Sequence, residues 1–453
     1  MLTRTGKRIV ITTYGSFGDI HPYIALALAL KKRGHRPLIA TSGIYREKIE
    51  PLGIEFHAAR PELPGIDKLD EIEELMRRGM DARRGPEFIV RDMFVTHVRA
   101  SYEDLSEAVR GADLLITHPI TFAGPLVAEK NGLPWVSSVL SPVSLFSVYD
   151  PPVAPQAPSS DKVISRLPTF VIRLIFKLAR YNTARWFEPL RELRRELGLP
   201  SGGHPLFEGQ HSPALVLALF SKLLTKRQPD WPTQTRVTGF CFYDRRDETE
   251  EGQGLTDELR EFLDAGTPPL VFTLGSAAVW NAGDFYRESV AAAKILGERA
   301  VLLIGDARNL PHKDLPEGIR AFDYAPYGEL LPRASCIVHQ GGIGTTGQSM
   351  RAGRPMLVMP YSHDQPDNAR SVVRLGMART LPRQRYKAER VAQELSALLS
   401  DPSYADRAAE VGRYVRSEDG PGAACDLIES LLFDRVDDED QNLKEEEIDS
   451  LVH

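Results

Sequence analysis

Cys336-Ile-Val-His339 reads as a buried strand that runs into Gln340-Gly341-Gly342-Ile343-Gly344-Thr345-Thr346, with a helix expected from Thr345 to Arg351. Glycines let backbone amides approach an oxyanion, threonine hydroxyls donate to it, and a helix N-terminus carries about half a positive charge. Together they predict a phosphate cradle. It is not a Walker loop, because no Lys-Ser/Thr follows the glycines. A second expected strand, Met356 to Met359, is closed by Pro360 and delivers Asp364 and Gln365 to a neighbouring strand end. A carboxylate and an amide there suit sugar hydroxyls rather than phosphate.

A proton acceptor is found near the other end of the chain. Asp19 closes Tyr14-Gly-Ser-Phe-Gly-Asp19, directly after an expected strand from Arg8 to Thr12 and before an expected helix from His21 to Arg33. A carboxylate at a strand end is placed to take a proton from an attacking hydroxyl. The plainer alternative is that Asp19 only caps the helix. His21 is the rival base, although a helix N-terminus disfavours its cationic form. His118 ends an expected strand, Leu114 to Thr117, and either orients Asp19 or is a satisfied structural histidine.

These residues need a scaffold of alternating strands and helices. In the first half, Pro37 to Ala40, Ile54 to His57, Leu114 to Thr117 and Trp135 to Ser138 join Arg8 to Thr12 as strands, with helices around Tyr45 to Leu52 and from Phe122 to Asn131. A Pro/Ser-rich loop from Asp150 to Asp161 precedes a long helical region, Lys162 to Leu197. The second half repeats the pattern with strands Leu270 to Thr273, Ala300 to Ile304, Ile319 to Phe322, Cys336 to His339 and Met356 to Met359. The expected fold class is therefore α/β: two doubly wound, Rossmann-like domains with ligands in the cleft at the strand ends. Residues 1–240 form the first and 241–422 the second, joined through a polar linker from Asp244 to Gly254.

In these motifs the chain resembles the family 1 inverting glycosyltransferases of GT-B fold. The shared elements are Tyr324-Ala-Pro326, His339 to Thr346, and Asp364-Gln365, supported by Gln228-Pro-Asp-Trp-Pro232 and Val271 to Ser276. Within that family it looks most like the chain-B rhamnosyltransferases of rhamnolipid synthesis and the bacterial sterol- or flavonoid-glycosylating enzymes. The resemblance implies that Tyr324 stacks on a nucleotide base whose edge pairs with Ala325. It implies that His339, Gly341, Gly342, Gly344, Thr345, Thr346, Gly275 and Ser276 hold a diphosphate, and that Asp364 and Gln365 read the sugar. It also implies a final helix, 423–433, crossing back to the first domain, and chemistry without a metal or other cofactor. Plant relatives carry a ribose-binding Glu where this chain has Gly347; its absence tilts the expected donor to dTDP-rhamnose over UDP-glucose. The expected acceptor is a hydroxyl on a flavonoid or phenol, a sterol or a hydroxy-lipid. A nucleotide-sugar epimerase and a non-catalytic nucleotide-sugar or lipid-binding subunit are the alternatives.

Composition bounds the rest. With 453 residues, 42% apolar and 26% charged, the chain has the make-up of an ordinary globular protein with room for two cores. Cys241, Cys336 and Cys425 are too scattered for a metal spacing and suit a reducing, cytoplasmic setting. Basic residues at the N-terminus are followed only by a short strand, so no signal peptide is predicted. The net charge is −6, with nine acids against two bases in residues 434–453, an acidic tail expected to be solvated and poorly ordered. Nothing indicates nucleic acid. Phe122, Val143, Leu145 and Phe146 are expected to line an apolar acceptor pocket. The basic, aromatic stretch from Phe170 to Arg195 is read as a wall of that pocket, with peripheral membrane contact as the alternative.

Overall fold

A computed structural model describes residues 6–65, 67–156, 161–244 and 254–433. Runs of β-branched residues buried on both faces, such as Arg8-Ile-Val-Ile-Thr12, are what central parallel strands require. The first sheet comprises β1 (Arg8–Thr12), β2 (Arg36–Thr41), β3 (Glu55–Ala58), β4 (Leu114–Thr117), β5 (Trp135–Val139), β6 (Val216–Ala218) and β7 (Thr235–Val237). Its order is β3-β2-β1-β4-β5-β6-β7, all parallel. The helices that matter here are α1 (Phe17–Lys32), α2 (Leu69–Gly79), α3 (Val98–Ala108), α4 (Ala123–Asn131) and α5 (Thr169–Thr183).

The second sheet comprises β8 (Leu270–Thr273), β9 (Ala300–Leu303), β10 (Ile319–Phe322), β11 (Cys336–His339), β12 (Met356–Val358) and β13 (Ala378–Thr380). It too is wholly parallel, in the order β10-β9-β8-β11-β12-β13. Its principal helices for this account are α6 (Ile343–Ala352) and α7 (Gln365–Arg374), followed by the terminal helix α8 (Gly420–Phe433). The changeover between sheets lies between β7 and β8. Most of the expected linker and the whole acidic tail lie outside the described residues.

Three expectations need correction. Helix α1 starts at Phe17, a turn before His21, because Ser16 and Asp19 form a capping box there. Pro22 therefore falls inside the helix, where it cannot donate to the Gly18 carbonyl. The region 162–197 is not one helix: it divides into Asp161–Ile164, α5, a turn of 3₁₀ helix at Ala184–Phe187, and Glu188–Glu196. Pro168 and Pro189 set breaks, since each can begin a helix but not continue one. Strands β6, β7 and β13 were not foreseen; three residues are too few to show a period.

The terminal helix packs against the first helix of the chain. Its Ala424, Cys425 and Ile428 are fully buried in the cluster that includes Ile24 and Leu26 of α1. Arg33 beyond α1 bonds Asp426 at 2.5 Å and Glu429 at 3.0 Å. Among the described residues no helix is long and apolar enough to cross a membrane. Replacing a fully buried isoleucine by alanine costs about 2–5 kcal/mol. Ile428→Ala is expected to lower stability by that amount, read from the midpoint of urea denaturation; a loss below about 0.5 kcal/mol would show that α8 is not part of the first core.

Candidate active site

In both sheets the strand order reverses next to the first strand of the domain, between β1 and β4 and between β8 and β11. Crevices at such switch points, beyond the strands' carboxyl ends, are where open parallel sheets bind ligands. Asp19 and His118 follow β1 and β4; Gly275 and residues 340–346 follow β8 and β11. The two switch points face each other. A side chain begun at Gly344, at the start of α6, would come within 3.6 Å of the Gly18 Cα at the start of α1.

Asp19 both caps and faces the cleft. Its Oδ2 accepts from the Ser16 amide at 2.9 Å, while Oδ1 lies 3.9 Å from Nε2 of His118. The fold-back needs glycine at position 15: φ is +131°, and a Cβ there would lie 2.2 Å from Oδ2. Of the Asp19 side chain 35% is accessible, and protein packs the remainder. Burial raises its pKa to about 7; the Ser16 amide pulls the other way, and the negative charge of Asp364 adds to the rise.

His118 stands beside Asp19 but outside hydrogen-bond reach. Burial lowers its pKa to about 3, so it is neutral, and its Nδ1 is enclosed without a partner among the described residues. His21 points elsewhere. Its ring stacks on Phe17 and meets the edge of Tyr243, both with centroids 5.1 Å away, and its Nε2 is enclosed. Burial, then the nearby Lys48 charge, lowers its pKa to about 3. The geometry favours Asp19 over His21 as the proton acceptor.

Across the cleft, His339 departs from expectation. It is fully buried, its Nδ1 accepts from the Gly341 amide at 3.0 Å, and Nε2 faces the Met356 sulfur at 3.3 Å. Both nitrogens are turned into the domain, so it shapes the Gly341 turn rather than offering a donor to a phosphate. Gly342 caps α6. The Thr345 hydroxyl meets Tyr327, whose own hydroxyl is 2.8 Å from Thr273 Oγ1, while Thr346 Oγ1 is enclosed. The Gly275 amide donates to Thr273 Oγ1 at 3.3 Å, and Ser276 lies in the one-turn helix Gly275–Ala278. Between Gly275 and Gly342 lies the Gln340 amide, 2.5 and 2.8 Å from where their side chains would begin. Gln340 and Tyr327 were missed in the sequence, although Gln340 stands inside the glycine motif.

Of the expected sugar-reading pair, only Asp364 is available. Its carboxylate accepts from Asn368 at 2.7 Å and from the Ile343 amide at the start of α6, and burial raises its pKa. Gln365 instead turns its oxygen back onto the amides of Tyr361 (2.8 Å) and Ser362 (3.3 Å). Beside it, His363 bonds the Gly79 carbonyl at the end of α2, across the cleft, at 2.7 Å.

Near Gly347, where the family's ribose-binding residue was expected, stands a carboxylate that was not expected. Gly347 leaves room for Phe240, whose ring atoms lie 2.9–3.1 Å from where its Cβ would be, so a glutamate does not fit there. Asp244 comes in from the inter-domain segment instead, bonded at 2.5 Å by both Gln348 and Arg351. The half-buried Tyr324 donates to the Asp244 carbonyl at 3.2 Å, and Ala325 beside it is buried.

The four expected acceptor residues do not line one pocket. Phe122 shares a pocket at the ends of β1 and β4 with Tyr14, Phe94, Val98 and Ile120. Val143 belongs to another, with Asp150, Trp231 and Asp367. Leu145 is buried in a core cluster, and Phe146 packs on Phe176 and Phe207. Among the described residues no three His, Cys, Asp or Glu side chains converge as metal ligands.

Comparison with known proteins agrees with this layout. Residues 9–149 match the glycosyltransferase family 28 N-terminal domain, and residues 290–431 match the erythromycin biosynthesis protein CIII-like C-terminal domain. The O-mycaminosyltylonolide 6-deoxyallosyltransferase of Streptomyces fradiae is 31% identical over 434 residues, covering 95% of this chain and 98% of that protein. A sterol 3-beta-glucosyltransferase of Cryptococcus neoformans is 28% identical across 93% of this chain, which spans only 27% of that larger protein. The crystal structure of the glycosyltransferase VinC in complex with dTDP superposes with a TM-score of 0.64 at 20% identity, covering 94% of this chain and 99% of that one.

A base acts only when ionised, so kcat/KM is expected to rise with pH through about 7, the range to which burial moves Asp19. Asp19→Asn is expected to lower transfer by about 100- to 10,000-fold, the usual effect of losing a positioned base, while nucleotide binding stays within a few-fold. Near-normal turnover in this variant, with His21→Ala inactive, would transfer the role to His21.

Proposed function

The chain belongs to the nucleotide-sugar glycosyltransferases of GT-B fold, and from that premise we propose that it moves a rhamnose-like 6-deoxyhexose or a glucose, with inversion and without a metal, from a dTDP- or UDP-sugar to a hydroxyl on an apolar acceptor. The observation that carries this reading is the ionisable Asp19 at one switch point, opposite Asp364 and the N-terminus of α6 at the other. The acceptor hydroxyl bonds Asp19 and attacks the anomeric carbon from the face opposite the leaving group. As the new bond forms, its proton passes to Asp19, and the nucleoside diphosphate departs with the bonding electrons. The amides of residues 342–344 and the hydroxyls of Ser276 and Thr345 are the groups suited to stabilising that charge. Asp364 offers its carboxylate to the sugar hydroxyls.

For the acceptor, the pocket formed by Tyr14, Phe94, Val98, Ile120 and Phe122 is apolar and adjoins β4, which His118 directly follows. The relatives named above are a transferase acting on a macrolide and one acting on a sterol, and their names favour a bulky apolar alcohol of that kind over a flavonoid. For the donor, a missing carboxylate at Gly347 no longer argues for a deoxynucleotide, since Asp244 supplies one. The preference for a dTDP-6-deoxyhexose rests on the Streptomyces relative's 6-deoxyallosyl specificity and on the dTDP bound to VinC. Transfer assays with a panel of UDP- and dTDP-sugars against macrolide and sterol alcohols test the proposal.

Two outcomes are expected in competition with an active donor. dTDP competes at least as well as UDP; a tenfold advantage for UDP, about 1.4 kcal/mol, would contradict the donor assignment. Asp244→Ala weakens both nucleotides by about tenfold or more, because a hydrogen bond to a charged group is worth about 1.5–3 kcal/mol. Unchanged inhibition constants in a folded variant would leave Asp244 a structural partner of Arg351 alone.

A further inference from the structure

Helix α5 is apolar on two opposite faces. Its inner face, Ile172 and Phe176, packs with Val148, Phe146 and Phe207. Its outer face carries Phe170, Leu174, Leu178 and Tyr181, which are 69%, 56%, 54% and 77% exposed. Spacings of four, four and three residues bring these four onto one side of the helix. With Val163 and Ile175 nearby, this short stretch holds half of the twelve large apolar side chains exposed among the described residues. A soluble surface does not ordinarily gather its exposed apolar residues in one place; such a patch marks an interaction.

Charge identifies the partner. Residues 161–185 contain Lys162, Arg166, Arg173, Lys177, Arg180 and Arg185, with Asp161 as the one acid. That acid is turned to Arg370, at 2.8 Å. Arg166, Arg173, Lys177 and Arg185 are exposed around the apolar stripe. A local cationic rim around a stripe of Phe, Leu and Tyr is the pattern of an amphipathic helix lying in a lipid headgroup layer. Fifteen residues make a helix of roughly 22 Å with a face about 10 Å wide. That is far below the ~800 Å² per partner of a stable protein interface. A lipid surface needs no such area.

We propose that the outer face of α5 seats the protein on an anionic lipid surface, with Phe170, Leu174, Leu178 and Tyr181 inserted below the headgroups and the surrounding Arg and Lys side chains paired with them. The proposal stands apart from the assigned transfer reaction, because it uses no residue of the cleft.

Vesicle flotation with the full chain tests it. The wild-type protein should float with vesicles of one-to-one phosphatidylglycerol and phosphatidylcholine at low salt, and most of it should be released by high salt. With pure phosphatidylcholine, binding should fall at least tenfold. Phe170→Glu/Leu174→Glu should lose binding to anionic vesicles while keeping the wild-type thermal unfolding midpoint. Arg173→Gln/Lys177→Gln, a milder change that leaves the apolar stripe intact, should bind less and with a shallower salt dependence. Absence of flotation with the wild type, or flotation of both variants equal to the wild type's, overturns the proposal. So does a concentration-dependent dimer in light scattering that Phe170→Glu/Leu174→Glu abolishes, which would give this face to a second copy of the chain.

Discussion

Ionising a carboxylate at the floor of a protein cleft costs more than ionising one in water, and the chemistry assigned here depends on that cost. At Asp19 it is offset only in part, by hydrogen bonds from the Ser16 amide and, more weakly, the Ser16 hydroxyl, and the charge of Asp364 works against it. More amide donors would leave a weak base that is always ionised. No donors at all would leave a neutral acid. The capping box divides the carboxylate, giving one oxygen to the helix and the other to the cleft, so the structural and chemical roles of Asp19 are compatible.

This balance holds only while the domains stay together, since Asp364 belongs to the second sheet's half. Several contacts maintain that approach. Ser141 donates to Asn368 at 3.0 Å, and the Val153 amide donates to Asp367 at 3.1 Å, so α7 is bound to loops of the first domain from two sides. Arg370 bridges Asp367, Asp150 and Asp161. At the far end, α8 packs on α1 and returns the chain to the first core. Asn368 also holds Asp364, so one residue joins the domain contact to the position of the cleft carboxylate.

Much of this was legible in the sequence, for identifiable reasons. The strands that bracket the switch points are short, largely apolar and buried runs, and β4, β8, β10 and β11 begin and end where they were expected. The glycine motif marks its own strand-to-helix turn. What escaped depends on three-dimensional packing. Nothing in the spacing of His339 tells that Met356 and Gly341 will engage both its nitrogens. The substitute carboxylate, Asp244, lies about a hundred residues before Gln348 and is joined to it only by the fold. The four apolar residues expected around the acceptor were chosen for following cleft-facing strands, but Phe146 packs instead on Phe176 and Phe207, more than twenty-five residues further along the chain.

The central claim is that burial and a like charge across the cleft tune the carboxyl of Asp19. It is tested most directly by following that carboxyl group itself, through carbon-13 NMR of aspartate-labelled protein with Asp19→Asn used to assign the resonance. The account predicts an apparent pKa near 7 in the unmodified chain and a lower value in Asp364→Asn, where the opposing charge is gone. An Asp19 that titrates near 4, like a carboxylate in water, or that does not respond to Asp364→Asn, would contradict it.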